Sequence, residues 1–124
     1  LVYSWPDPAA KARHAADILQ RRLAALGLHF DEVRAELIGA HALTETSDAA
    51  PTDLDEVMLR VSVRSPDREA VAQFGREIAP LILTGPSGVT GFAGGRPKPS
   101  EVIAYWPALI PKTAVTPQVE VVMV

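Results

Sequence analysis

The sequence predicts an α+β domain, a two-layer sandwich with two helices on one face of a four-stranded, largely antiparallel sheet. Three observations predict it. Two stretches carry apolar residues at three- and four-residue spacing behind starts that pair a cap with a proline. Several shorter runs alternate apolar and polar residues. The 124 residues, 48% apolar and 22% charged, suit one domain (1–124) large enough to bury a core without disulfides.

The elements follow in order. Asp7 is placed to cap the first helix, Pro8 fits its first turn, and Gly27 offers a left-handed stop. Ala12, Ala16, Leu19, Leu23 and Leu26 form its apolar stripe, and Leu28 can fold back on Leu23 as a Schellman ending. A second helix begins at Ser65-Pro66-Asp67, with Ser65 read as the cap and Val71, Phe74, Ile78 and Leu81 as the stripe. Pro80 should break or kink it. Four strands are expected at Val33–Ala40, Glu56–Arg64, Glu101–Leu109 and Gln118–Val124. The opening LVYSWPDP reads as a linker, and His41–Asp55 as a long polar hairpin connection. The resulting order, α-β-β-α-β-β, describes a circularly rearranged relative of the ferredoxin-like fold.

Composition narrows the function. No cysteine is present, which removes disulfides, thiolate nucleophiles and Cys-based metal sites and favours the cytoplasm. A net charge of −3 and a pI near 5.5 give no electrostatic footprint for nucleic acid. No run approaches the roughly 20 apolar residues of a membrane span. His14, His29 and His41 lack metal-ligand spacing, so no metal is expected, and Asp53, Asp55 and Glu56 form no second catalytic motif. Trp5 and Trp106 fit buried packing or an interface better than ligand stacking.

The stretch GPSGVTGFAGG, Gly85 to Gly95, holds five of the eight glycines. Gly85, Gly88, Gly91 and Gly94 recur every third residue, the period of an extended polyproline-like backbone, along an edge without Cβ atoms. It matches neither phosphate-loop pattern, and it leaves a helix C-terminus, where the dipole opposes an anion. Arg96 and Lys98 offset that with positive charge. Gly85, Ser87, Gly88, Thr90, Gly91, Gly94, Gly95 and Arg96 are therefore the expected ligand-binding residues, with contact to another domain or subunit as the other reading. No catalytic residue emerges.

A longer pattern adds to this. The glycine loop LTGPSG behind a helix, the segment WPALIPK and the closing VTPQVEV together resemble the C-terminal part of the acyclic terpene utilisation family. The upstream SWPDPAAKARHAADILQRRLAALGL and EVMLRVSVRSPDREAVAQFGREIAPLI are similar to the segments that precede it there. The resemblance implies the C-terminal domain of a longer bacterial protein, partnered by an N-terminal α/β domain of the same chain. It also implies breakdown of branched acyclic terpenes through acyl-CoA intermediates, with a lyase- or hydratase-like step. No cofactor is expected, a coenzyme A thioester entering as substrate. The domain would contribute its glycine loop to an acyl-CoA or carboxylate site without being catalytic alone. The other expectation is a non-catalytic assembly domain, and a homo-oligomer fits both.

Overall fold

The computed structural model describes residues 1–40, 53–92, 94–95 and 97–123. Strand β1 (Val2–Ser4) leads into helix α1 (Pro8–Ala25), then β2 (Glu32–Ile38), β3 (Glu56–Arg64), α2 (Arg68–Ile78), the single turn α3 (Leu81–Thr84) and β4 (Val89–Gly91). The sheet runs β2-β3-β1-β4 with every neighbouring pair antiparallel. The two-layer α+β class stands.

Two of the four strands come from other segments than the sequence suggests. Val2–Ser4 is a strand rather than a linker, and Val89–Gly91, inside the glycine run, is the other. Glu101–Leu109 and Gln118–Met123 are in no strand, and Val124 lies outside the described residues. With β1 in front, the order is β-α-β-β-α-β, the unrearranged ferredoxin-like arrangement. The physical reason is that a strand needs a partner edge. Alternation in the C-terminal segments gives β propensity, but β1 holds the place beside β3 and β4 the place beside β1. The expected connection at His41–Asp55 lies outside the described residues up to Thr52.

Helix α1 ends as its sequence dictates. Gly27 sits at φ 69°, the Leu28 N–H donates to the Leu23 carbonyl at 3.0 Å, and the Gly27 N–H donates to the Ala24 carbonyl at 3.0 Å. Its start differs, because Asp7 makes no side-chain cap bond. Helix α2 is capped two residues later than Ser65-Pro66 suggests. The Asp67 carboxylate accepts from the N–H groups of Glu69 and Ala70 at 2.9 and 3.1 Å, and Ser65 Oγ accepts from the Asp67 N–H. A carboxylate reaching two free N–H groups at the positive helix end outcompetes a hydroxyl. Pro80 breaks the helix as expected and starts α3.

Both long helices cover one sheet face. Leu19 and Leu23 of α1 meet Phe74 and Leu81, with Ile78, Val61 and Val63 packed around them. A second cluster joins Tyr3, Val57 and Leu59 to Ala12, Ala15 and Ala16, whose small side chains let α1 approach the sheet closely. Across the helix pair, Arg22 donates to Glu77 at 2.7 Å, and within α2 Gln73 donates to the other Glu77 oxygen at 2.8 Å. The uncovered face carries the charges. Glu36 accepts from Arg60 at 2.6 Å and pairs with Arg34 at 3.1 Å, and Arg60 foremost holds its carboxyl below the usual carboxylate range.

Tyr3 is fully buried, and among the described residues its hydroxyl has no partner. An unpaired buried hydroxyl costs about 1–3 kcal/mol. Tyr3→Phe is therefore expected to hold or raise stability. Burial also pushes the Tyr3 phenol above its ordinary pKa of 10.0. The folded chain keeps a proton that the unfolded chain releases, so this contribution is complete below pH 10 and falls as pH rises towards the folded value. Urea melts between pH 8 and pH 11 should show the alkaline loss reduced in Tyr3→Phe (pH window from the phenol range, about 10). An equal loss in both proteins would assign it to another group.

Candidate functional site

The glycine run does not follow one extended edge. Gly88 and Gly94 have φ of 91° and 84°, far from the polyproline region, and Val89–Gly91 pairs with β1 between them. Val2 lies opposite Gly91 and Tyr3 opposite Val89, so Thr90 is the extra residue of a bulge in a three-residue edge strand. The two halves of the run therefore sit at opposite ends of the β1–β4 pair.

At the Gly88 end the contacts are polar. The Ser4 N–H donates to the Gly88 carbonyl at 3.0 Å, and Ser4 Oγ reaches the same oxygen at 3.4 Å. Lys11, one turn into α1, donates to the Ser4 carbonyl at 3.2 Å, and a methyl added at Gly88 would stand 3.0 Å from its ammonium nitrogen. Gly88 is favoured by its left-handed backbone, whereas the Lys11 ammonium, at the end of a flexible side chain, can yield to a methyl. Gly85 closes α3 through its N–H to the Leu81 carbonyl at 2.9 Å, and Ser87 and Thr90 are exposed. Arg96 lies outside the described residues. Among the described residues a positive charge beside this half of the run is that of Lys11, which sequence spacing could not connect with a loop 77 residues away.

At the other end lies an apolar cleft of about 290 Å³. It is bounded by Leu1, Met58 and Val61 on the sheet side, by Leu19, Ile78 and Leu81 of the helices, and by Phe92. Gly94, Gly95 and Pro97 form its mouth. The mouth is seated on α2 by a close approach, since a Cβ on Gly75 would lie 2.7 Å from the Pro97 carbonyl oxygen. Its volume falls at the small end of ligand sites, about 300–1,000 Å³. Among the described residues the lining offers one ionisable side chain, Arg60, whose Nε is bonded to Glu36. Among the described residues no side-chain nucleophile and no acid–base pair lines it. The cleft can hold an apolar group.

The other sequence candidates stay apart from this cleft. His14 and His29 are exposed, as are Asp53, Asp55 and Glu56, and His41 lies outside the described residues. Among the described residues no group of three His, Asp or Glu side chains could hold a metal ion, and no helix is long and apolar enough to cross a membrane. Trp5 and Trp106 are both exposed, at 71% and 90%. That is the surface expected of an interface rather than of buried packing.

A family model described as acyclic terpene utilisation family protein AtuA matches residues 1–121. The chain belongs to the acyclic terpene utilisation family. The match takes in all seven helices and strands, both ends of the glycine run and the cleft. No curated protein and no solved structure matches the chain. For this member of the family, the ferredoxin-like arrangement therefore rests on its own topology and register.

Proposed function

We propose that the chain is the C-terminal domain of a cytoplasmic bacterial enzyme that breaks down branched acyclic terpenes, and that its cleft holds the apolar chain of an acyl substrate. The observation that carries this is the cleft itself: an apolar gap between sheet edge and helices whose mouth is formed by Gly94 and Gly95. The substrate's other end, a carboxylate or coenzyme A thioester, would face solvent past these glycines, where no Cβ obstructs it. The lyase- or hydratase-like step belongs, on this reading, to residues of an N-terminal α/β domain, as the family resemblance implies. The domain's share is binding and orientation.

The test is binding of a branched ten-carbon carboxylic acid to the chain, by calorimetry. Removing the Phe92 ring should weaken binding by about ten-fold or more, since a buried aromatic or aliphatic side chain contributes roughly 1.5–3 kcal/mol. Ser87→Ala, at the opposite end of the β1–β4 pair, should leave it unchanged. Equal affinity in wild type and Phe92→Ala would remove the cleft from the site. A second reading, an assembly domain, is favoured by one separate observation. The chain beyond Ser100 is exposed at every described residue and rich in apolar side chains.

A further inference from the structure

β2 and β4 end the sheet, and they end it differently. β4 is three residues long and bulged, which keeps an edge from pairing further. β2 has neither protection. It holds no proline, and all seven of its residues pair with β3 in unbroken register. Glu32, Val33 and Arg34 are exposed, and residues 35–38 are half-buried. A long, regular edge of this kind accepts a further strand.

The ladder fixes which backbone groups of β2 face outwards. The Trp5 N–H donates to the Asp55 carbonyl at 2.7 Å, which continues the β1–β3 register and turns the odd-numbered residues of β3 towards β1. The even-numbered ones turn to β2, where Arg60 meets Glu36 and Ser62 meets Arg34. Val33, Ala35 and Leu37 therefore point their N–H and C=O groups away from β3. The Leu37 carbonyl accepts from the Ala40 N–H at 3.1 Å. Among the described residues no backbone group meets the outer side of Val33 or Ala35.

We infer that β2 pairs antiparallel with β2 of a second copy about a two-fold axis at Ala35, joining the two sheets into one. The charges of β2 select both this partner and this register. With Ala35 opposite itself, Arg34 of each copy faces Glu36 of the other, so the favourable pair forms twice. A slip of two residues either way sets Arg34 against Arg34 or Glu36 against Glu36. A slip of one sets outward backbone groups against inward ones. In the chosen register Glu36 lies between Arg60 of its own chain, already bonded to it at 2.6 Å, and Arg34 of the other. On the helix-covered side Val33, 39% exposed, meets Leu37 of the other copy. The Leu37 carbonyl has a second lone pair for the Val33 N–H. The pairing uses neither the apolar cleft nor the C-terminal arm.

The absence of cysteine makes the test direct. Residue 34 of one copy and residue 36 of the other form a non-hydrogen-bonded pair with Cα atoms about 4.5 Å apart, within disulfide range. Chains carrying Arg34→Cys and chains carrying Glu36→Cys, mixed under mild oxidation, should give a covalent dimer that neither yields alone. Wild type should sediment as a dimer. Arg34→Glu should raise the dimer Kd by about ten-fold or more, because both cross-strand pairs become like-charged. Its melting curve as a monomer should change little, since Arg34 is exposed. Hydrogen exchange at the Ala35 amide should be slow in the dimer and fast in the monomer. A monomeric wild type overturns the pairing, and so does a dimer that Arg34→Glu leaves intact. A covalent dimer from Arg34→Cys alone overturns the register. An Ala35 amide that stays protected in the monomer gives the edge to another segment of the same chain and overturns the pairing too.

Discussion

Truncating Phe74 to alanine is expected to cost about 3–5 kcal/mol of folding stability. The ring is 4% exposed and lies where both layers meet, with Leu19 and Leu23 of α1 and Leu81 of α3 in one cluster and Val61 and Val63 of the sheet packed against it. It also meets Phe30 edge to face, the ring centres 6.1 Å apart. Removing it leaves a cavity that backbone on both sides prevents from closing. Against a total stability of about 5–15 kcal/mol, that loss can empty the folded state at moderate temperature. Melting should fall by on the order of 10–20 °C. Leu83→Ala, at an 89% exposed leucine, is the control and should change little. A loss below about 1 kcal/mol for Phe74→Ala would mean that the helices are not packed on the sheet as described.

Gly75→Ala is expected to destabilise, against the ordinary rule for helices. In a helix interior alanine is usually better than glycine by about 0.5–1 kcal/mol. Here the new Cβ would stand 2.7 Å from the Pro97 carbonyl oxygen, so the backbone at the cleft mouth must move. Overpacking of that kind costs about 1–3 kcal/mol, which outweighs the helical gain. The displaced segment contains Gly94 and Gly95, so affinity for the branched acid should fall along with stability. Urea melts and calorimetry on the variant give both values. A stabilised Gly75→Ala would show that Pro97 is not seated on α2.

The parts of this molecule that were legible in sequence are those whose pattern is long enough to show a period. β3 alternates over nine residues and β2 over most of seven, and α1 carries both a stripe and a glycine stop. β1 and β4 are three residues each, too short for a period of two to be seen, and VTG is hidden among glycines. The C-terminal segments mislead for the opposite reason. Their alternation is real, but pairing is decided by which edge is free, and that information lies elsewhere in the chain. The cleft was beyond reach in the same way. Leu1, Leu19, Met58, Leu81 and Phe92 are scattered over the whole sequence and become neighbours only in the folded chain. The glycine run stands out in sequence by composition alone. Its uniform spacing concealed unlike roles: a helix end at Gly85, a left-handed turn against Lys11 at Gly88, and a strand position opposite Val2 at Gly91.

The uneven lengths of the strands also set an order of assembly. Ile38 pairs with Met58 across a modest stretch of chain, while the Ser4 contact with Gly88 closes 84 residues. Bringing distant segments together costs entropy before any contact repays it, so β2, β3 and the helices should collapse first and β1 with β4 last. The same short ladder should open first in the native state. Amide protons of Ser4 and of the Val89–Gly91 strand would then exchange ahead of those on the β2–β3 ladder, giving the chain a firm hairpin and a loosely latched edge.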